Sequence, residues 1–320
     1  MNQLNRIILA GGTGFLGKIL RRHFSAAGHE MVVLTRSPSS SGEVQWDGRT
    51  LGPWTRELEG ALALINLAGK SVNCRYNELN RKLIMGSRVE STRVLGEAVA
   101  RCANPPRIWL NSSTATIYKH SLDRDRDEAS TEFDATPEAR DAFSVSVARN
   151  WEDTFFQARA PQTRKIALRT SMVLGTEPGT VFRVLERLTR LGLGGRMGSG
   201  EQYVAWIHET DFCHAVQWLI SNEKLAGPIN MTAPVPIPNA RTMAILRREC
   251  GMPLGLPATR WMLHLGAIVM RTETELILKS RRVVPKRLID SGFTFRFPTF
   301  EDAAHDLTEQ LKAQQKKPPE

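Results

Sequence analysis

The stretch Arg6-Ile-Ile-Leu-Ala-Gly-Gly-Thr-Gly-Phe-Leu-Gly17 decides the fold of this chain. A short apolar run, typical of a buried strand, gives way to glycines at positions 11, 14 and 17 and then to a helical pattern. In this spacing Gly11 permits a tight turn, Gly14 lets the backbone approach a phosphate, and Gly17 lets the helix pack closely on the sheet. The unpaired N–H groups of the helix N-terminus would then face an anion. The stretch therefore predicts a dinucleotide phosphate site.

The residues that follow complete a β-α-β unit. Apolar residues recur at helical spacing from Phe15 to Phe24, Gly28 ends the helix, and Met31-Val-Val-Leu-Thr35 is a second buried strand. Arg36 stands at the end of that strand, where NAD-binding proteins usually carry an acidic residue for the ribose hydroxyls. A guanidinium matches a 2′-phosphate in charge and geometry. We therefore expect NADP(H) as the cofactor, unless Arg36 is only a solvated charge at the strand end.

The composition, with 41% apolar residues in a chain of 320, is typical of an ordinary globular protein, which we expect to be cytoplasmic. The longest apolar run, residues 261–270, is interrupted by His264, so no membrane span is expected. The first strand begins too early to leave room for a signal peptide. The four cysteines lack CxxC spacing, which predicts buried, unpaired thiols and no zinc or other metal site.

The net charge of +10 raises the question of a nucleic-acid partner. The basic residues are dispersed, however, and no aromatic-interleaved motif accompanies them. An anionic cofactor and an anionic small-molecule substrate explain the charge equally well. We therefore expect no nucleic-acid partner, and the sequence gives no indication of oligomeric state.

Strand-like runs alternate with helical patterns up to about residue 175, which predicts an α/β fold with a doubly wound, Rossmann-type parallel sheet. Strands are expected at 44–46, 61–67, 107–113 and 165–174, helices at 77–102 and 138–159, and an exposed loop at 123–137. Further helices are expected at 181–191, 211–222 and 239–250. We expect residues 1–175, with 205–235 returning to them, to form the cofactor-binding core. Residues 176–204 and 236–320 would form a smaller C-terminal lobe that covers the substrate.

Several segments resemble motifs of one large family: Gly11 to Gly17 its TGGTGFIG fingerprint, Asn66-Leu-Ala-Gly69 its HLAA segment, residues 111–118 its SSSATVYG segment and residues 206–211 its FIHVDD element. In these segments the chain resembles the extended short-chain dehydrogenase/reductases, the group of nucleotide-sugar epimerases and dehydratases. Residues 66–69, 87–92, 191–195 and 280–285 are more specifically similar to an atypical, epimerase-like subfamily. Members of that subfamily carry a C-terminal domain of unassigned function, which corresponds to about residues 253–307.

The catalytic pair of the family is missing. Typical members carry a Tyr and, four residues later, a Lys, and alignment on Glu152 places these positions at Ser144 and Ala148. In the family the Lys and the nicotinamide charge bring the pKa of the Tyr phenol towards neutrality, so that it exchanges a proton with a substrate hydroxyl. A serine is a far weaker acid. The atypical subfamily generally lacks the pair too.

The resemblance leaves two candidates for catalysis. Thr114 matches the Ser or Thr that bonds the substrate oxygen in the family, although it could instead cap the backbone at a strand end. Tyr118 matches a residue that is mainly structural or substrate-contacting in relatives, and it is an alternative proton donor. Bound cofactor and correct orientation alone could also support hydride transfer to an activated carbonyl.

The resemblance also implies the remaining cofactor contacts. Arg88 stands where relatives carry Asn, and it either reaches a phosphate or replaces a lost structural bond. The other expected contacts are Thr13, Phe15 and Leu16 along the pyrophosphate, Leu67, Ala68 and Gly69 along the ribose edge, and Ser112 on the nicotinamide side.

Two features are candidates for binding the substrate. The glycines of residues 192–200 would allow a ligand to approach, with Arg196 pairing with a phosphate or carboxylate, although the segment could equally be an ordinary flexible connection. His208 lies where a strand meets a helix and is a candidate acid or base, although such a histidine is more often structural. A further basic group is interpreted as a solvated helix face: Arg281, Arg282, Lys286 and Arg287.

Two functions remain possible from the sequence. The first is an NADP(H)-binding, epimerase-like oxidoreductase that acts on an unidentified small substrate, anionic or similar to a sugar nucleotide. The second is a non-catalytic NADPH-binding regulatory or sensor protein, which the missing Tyr and Lys suggest.

Overall fold

A seven-stranded sheet organises the computed structural model, which describes residues 5–269 and 273–316. The order across this sheet is β3-β2-β1-β4-β5-β6-β10, and the strands pair in parallel throughout. Its strands are β1 (Arg6–Ala10), β2 (Glu30–Thr35), β3 (Glu43–Gln45), β4 (Ala63–Asn66), β5 (Ile108–Thr114), β6 (Arg164–Thr170) and β10 (Gly227–Met231). The predicted doubly wound parallel sheet is confirmed.

Helices cover both faces of the sheet, and two small two-stranded sheets lie beside it. The small sheets pair β7 (Met172–Leu174) with β9 (Trp206–His208) and β8 (Tyr203–Val204) with β11 (Ile237–Pro238). The helices are α1 (Phe15–Ala26), α2 (Glu78–Arg101), α3 (Ala142–Gln157), α4 (Val181–Leu188), α5 (Glu209–Ser221), α6 (Asn239–Glu249), α7 (Arg260–Val269), α8 (Glu275–Leu278), α9 (Lys286–Asp290) and α10 (Phe300–Lys316).

Alternate side chains of β1 build the two layers of the core. Ile7 and Leu9 belong to one buried cluster with residues of α1 and α5, whereas Ile8 and Ala10 belong to another with residues of α2 and α3. The strand order reverses between β1 and β4, because β2 lies on one side of β1 and β4 on the other. In doubly wound folds such a reversal opens a crevice at the carboxyl ends of the strands, where ligands bind.

A third buried cluster joins the later helices to the small sheets. Phe182 of α4, Trp206 of β9 and Leu246 of α6 pack together with Phe300 and Leu307 of α10. The C-terminal helix is therefore part of a continuous core and is attached through apolar packing.

The structure corrects two predictions. The expected strand 165–174 is broken, because Ser171 bonds the carbonyl of Met231 with its backbone N–H and hydroxyl, and β7 then leaves the main sheet to pair with β9. The loop 123–137 is not simply exposed. Arg126 and Glu128 within it are buried, and the Arg126 backbone pairs with the backbone of residues 282–284.

All four cysteines are unpaired, as predicted, but only Cys213 is fully buried, and the other three are partly exposed. Among the helices of the described residues, none combines the length and the apolar character that crossing a bilayer requires.

Candidate functional site

The glycine turn between β1 and α1 forms an open cradle at the carboxyl edge of the sheet. Gly11 has a φ of +76°, and a Cβ on it would lie 2.7 Å from the Cα of Ala68. A Cβ on Gly17 would overlap the Gly12 carbonyl, so the helix can pack against the turn only with glycine there. A Cβ on Gly14, in contrast, would meet no other atom within 4 Å. The space beside the exposed α1 N-terminus therefore fits a pyrophosphate, whose charge the helix dipole favours.

The other predicted residues of this turn lie around the same opening. Thr13 is exposed, and Phe15 and Leu16 are half-buried at the start of α1. Arg36 is exposed directly after β2, and no hydrogen bond or ion pair joins its side chain to any other residue in the described ranges. Its guanidinium is thus available to bind an anion at the adenosine side of the crevice, beside the end of β2.

A buried amide network fixes the backbone at the end of β4. The Asn66 side chain donates to Asn111 Oδ1 at 2.7 Å, and its own Oδ1 accepts from the backbone N–H of Ala68 at 3.0 Å. Thr92 of α2 joins this network and accepts a hydrogen bond from the Trp151 indole at 3.0 Å. Leu67 and Ala68 are half-buried and Gly69 is exposed. The backbone of this segment therefore faces the crevice, and the network around Asn66 holds it in place.

Arg88 packs under this segment. Its guanidinium donates to the carbonyls of Lys70 and Ile84 and stacks 5.0 Å above the Trp151 ring. A Cβ on Gly69 would lie 3.1 Å from the Arg88 guanidinium carbon. Burial lowers the pKa of Arg88 to about 10. The contacts support the structural alternative, in which Arg88 holds the loop after β4.

The end of β5 carries Ser112 and Thr114. Ser112 is buried, whereas Thr114 is partly exposed and its Oγ1 accepts a hydrogen bond from the backbone N–H of Thr116 at 3.1 Å. Thr114 therefore caps a turn, as its structural alternative predicts, and its partial exposure still leaves it within reach of a ligand at the strand end.

The positions of the missing pair lie on the first two turns of α3. The Ser144 hydroxyl donates to Glu275 of α8, and Ala148 is fully buried beside Ala115 and Val283. The C-terminal segment is thus packed against the helix that carries the catalytic pair in typical members of the family.

A buried charge cluster, which the sequence did not reveal, lies next to these positions. Lys279 and Asp141 are both fully buried and form an ion pair at 2.5 Å. Lys279 also donates to the Thr116 carbonyl at 2.7 Å, and Arg281 donates to Thr116 Oγ1 at 3.1 Å. Burial and the nearby Arg281 lower the pKa of Lys279 to about 8. The interpretation of Arg281 as part of a solvated helix face is wrong, because its guanidinium is hydrogen-bonded to the turn after β5.

Tyr118 lies in a second buried network. Its hydroxyl accepts from Arg169 at 2.8 Å and donates to Asn230 at 2.8 Å, while Arg169 makes a bidentate pair with Glu152. Only 1% of Tyr118 is exposed, and burial raises its pKa to about 12. This environment favours a structural role over proton donation.

The two predicted substrate contacts lie in different environments. His208 is fully buried, accepts the Thr210 backbone N–H at 3.1 Å and lies 3.2 Å from Asp306 of α10. Burial lowers its pKa to about 4, so it is a neutral residue that joins α5 to α10. Arg196 is exposed and donates to the carbonyl of Ser199 at 3.2 Å.

The glycines around Arg196 serve the packing of the chain on itself. Backbone hydrogen bonds join residues 192–198 to residues 256–258, and a Cβ on Gly195 would overlap the backbone of Leu256. The loop is therefore fastened to residues 256–258, and its glycines do not require a ligand. Throughout the described ranges, no three His, Cys, Asp or Glu side chains lie together as metal ligands would.

Comparison with known proteins agrees with this geometry. Residues 7–231 match the NAD dependent epimerase/dehydratase family, and residues 258–307 match a domain of unknown function, DUF1731. The chain is 32% identical to the Epimerase family protein SDR39U1 of Bos taurus, with 94% of this chain and 99% of that protein covered. It is 30% identical to the Epimerase family protein YfhF of Bacillus subtilis, with 94% and 97% covered.

A solved structure shows the same likeness in three dimensions. The crystal structure of human epimerase family protein SDR39U1 (isoform2) with NADPH superimposes with a TM-score of 0.84, at 28% identity, over 95% of this chain and 99% of that one. The resemblance predicted from the sequence is confirmed: the chain belongs to the NAD dependent epimerase/dehydratase family and has the fold of its members, with DUF1731 as its C-terminal domain.

Proposed function

We propose that the chain is an NADP(H)-dependent, epimerase-like oxidoreductase that acts on a small anionic substrate. The observation that carries the proposal is the pairing of an open cradle at Gly14 with the exposed guanidinium of Arg36, which has no hydrogen-bond or ion-pair partner among the residues that the structure describes. The first fits a pyrophosphate and the second fits a 2′-phosphate. NADPH in the related human protein supports the same cofactor.

In this proposal the chain's own residues bind and orient the reactants. The α1 N-terminus and residues 67–69 would hold the cofactor, which supplies or accepts a hydride when bound. Thr114 would bond the reacting oxygen of the substrate from the end of β5. The net charge of +10 favours an anionic substrate over a cationic one.

The alternative is a protein that binds NADPH and transfers nothing. Its supporting observation is that Ser144 and Ala148 replace the catalytic pair, with Ala148 sealed in the core. A sensor of this kind would bind the cofactor tightly and leave it unconsumed.

One experiment separates the two functions. Purified protein is first titrated with NADPH, following energy transfer from its tryptophans to the reduced nicotinamide. The loaded protein is then mixed with a panel of aldehydes and ketones that carry carboxylate or phosphate groups, and nicotinamide absorbance is followed. We expect saturable binding and loss of absorbance with some members of the panel. Binding without any oxidation would support the sensor, and absence of binding would refute both functions.

A further inference from the structure

Large apolar side chains protrude from two joined segments, residues 191–196 and 253–265. The Leu256 N–H donates to the Gly192 carbonyl at 2.8 Å, and the Gly195 N–H donates to the Leu256 carbonyl at 3.2 Å. The side chains that form this apolar face are each 45–81% exposed: Leu191, Leu193, Leu254, Leu256, Trp261 and Leu265. Apolar side chains that gather on a surface in this way mark an interaction site.

The packing of the two segments leaves these side chains outside the core. On α7, Leu263 is buried in the third cluster, whereas Trp261 and Leu265 lie exposed on the opposite side of the helix. A Cβ on Gly255 would lie 2.5 Å from the Gly194 carbonyl carbon, so the two loops meet through their backbones and not through the leucines beside them. Within the part of the chain that the structure describes, the apolar face is therefore largely uncovered.

The charges on the two segments are of one sign. Residues 187–196 and 251–266 contain no aspartate or glutamate, and they contain four arginines: Arg187, Arg190, Arg196 and Arg260. Arg190 pairs with Glu186, whereas the other three form no ion pair in the described ranges. One acidic residue borders the face, because Arg260 donates to the backbone carbonyl of Glu138 at 3.3 Å. The apolar face thus lies in a predominantly positive surrounding.

This charge pattern discriminates between possible partners. A second copy of the chain, docked through the same face, would bring the two sets of arginines together, and such like-charge contacts oppose association. An anionic bilayer is complementary to the face, because apolar side chains enter the boundary between headgroups and acyl chains while arginines remain at the phosphates. Trp261 belongs to a residue type that is enriched at this boundary.

We propose that the apolar face is a docking site for the surface of an anionic lipid bilayer. Trp261 and the leucines of the face enter the headgroup boundary, and Arg187, Arg196 and Arg260 contact lipid phosphates. This contact is peripheral and needs no helix that crosses the bilayer. The proposal is independent of the proposed function, because none of these residues belongs to the cofactor cradle.

Vesicles that share their acyl chains and differ in charge test the proposal. The full chain is mixed at low ionic strength with vesicles of phosphatidylcholine, or with vesicles of equal parts phosphatidylcholine and phosphatidylglycerol, and the bound fraction is measured by sedimentation. We expect binding to the anionic vesicles to be at least several-fold stronger and to weaken as salt is added. Weak or absent binding to the anionic vesicles would overturn the proposal.

Tryptophan emission reports whether the face itself enters the bilayer. Trp261 is 64% exposed, whereas Trp218 is half-buried and the other five tryptophans are buried. Anionic vesicles with brominated acyl chains should therefore quench part of the emission of the wild type, and Trp261→Phe should lose most of that quenching. Quenching that is unchanged in Trp261→Phe would overturn the proposed orientation and the docking site with it.

A variant that keeps the charge separates docking from general attraction, because a net charge of +10 draws any face of the protein towards anionic lipid. The double variant Leu254→Ser/Leu256→Ser should bind the anionic vesicles at least tenfold more weakly. Leu79→Ser, which replaces an equally exposed leucine at the start of α2, should bind like the wild type. All of these side chains are exposed, so urea midpoints should stay unchanged. Equal binding by the double variant would overturn the proposal.

Sedimentation equilibrium without lipid tests the competing occupant. We expect no self-association that depends on the apolar face. A dimer of the wild type that dissociates in Leu254→Ser/Leu256→Ser, but persists in Leu79→Ser, would show that a second copy covers this face and would overturn the assignment to a bilayer. Should the double variant fail to fold, Arg196→Ser/Arg260→Ser replaces it in the vesicle assay. That variant should also bind the anionic vesicles several-fold more weakly, and unchanged binding would overturn the proposal.

Discussion

Adding one methyl group at Gly14 tests whether the cradle holds a pyrophosphate. Gly14 has φ −80° and ψ 179°, which alanine adopts without strain, and a Cβ there meets nothing within 4 Å. Gly14→Ala loses a preferred helix-capping residue, at about 0.5 kcal/mol, and gains roughly the same from a less flexible unfolded chain. The expected change in the free energy of unfolding is therefore close to zero. The methyl group would occupy the space of the phosphates, so NADPH affinity should fall about tenfold or more, or ~1.4 kcal/mol.

A second glycine gives the opposite expectation. At Gly11 the positive φ costs an alanine about 1–2 kcal/mol, and overlap of its Cβ with the Ala68 backbone at 2.7 Å adds about 1–3 kcal/mol. Gly11→Ala should therefore destabilise the fold by roughly 2–5 kcal/mol. Gly266→Ala, also with open space around its Cβ, is the matched control for affinity. Urea unfolding and NADPH titration measure both quantities. A stable Gly14→Ala protein with wild-type NADPH affinity would refute the reasoning.

Two further predictions concern buried groups outside the cofactor site. Burial lowers the pKa of His208 from 6.5 to about 4, so the folded state binds fewer protons than the unfolded chain between these values and loses stability as the pH falls through them. The free energy of unfolding measured with urea, taken as wild type minus His208→Asn, should drop by up to roughly 1.4 kcal/mol for each pH unit of acidification in that window. A difference that does not change with pH would contradict this. Arg169→Met leaves the buried Glu152 carboxylate unpaired and should cost about 3–5 kcal/mol, with partial recovery in the double variant that adds Glu152→Gln. An unchanged urea midpoint would argue against that network.

Local patterns were sufficient for six of the seven strands of the main sheet and for most of the helices, whereas β10 was not predicted. The apolar run before Gly11 and the helical spacing after it depend on neighbouring residues alone, and α2 was predicted to within a residue at each end because Asn77 caps its start and two prolines follow its end. The break at Ser171 escaped prediction, because it depends on a hydrogen bond to Met231 at the end of another strand.

The candidate site, too, was predictable where it depends on neighbouring residues and unpredictable where it depends on distant ones. The cofactor turn is encoded in consecutive residues, whereas the contact of Ser144 with Glu275 joins positions 131 residues apart. Arg281 was interpreted as solvated because its sequence neighbours are basic, yet it is only partly exposed and its guanidinium is hydrogen-bonded to Thr116 in the turn after β5.

The most direct test of the central claim, an NADP(H) site read by Arg36, is the ratio of the Kd values for NADH and NADPH in the wild type and in Arg36→Ala. A hydrogen-bonded charge pair of this kind is worth about 1.5–3 kcal/mol, or roughly tenfold to a hundredfold in affinity. We predict that the wild type prefers NADPH by this margin, that Arg36→Ala loses the preference without weakening NADH binding, and that Arg101→Ala, an exposed arginine at the far end of α2, keeps it. Unchanged NADPH affinity in Arg36→Ala would contradict the assignment.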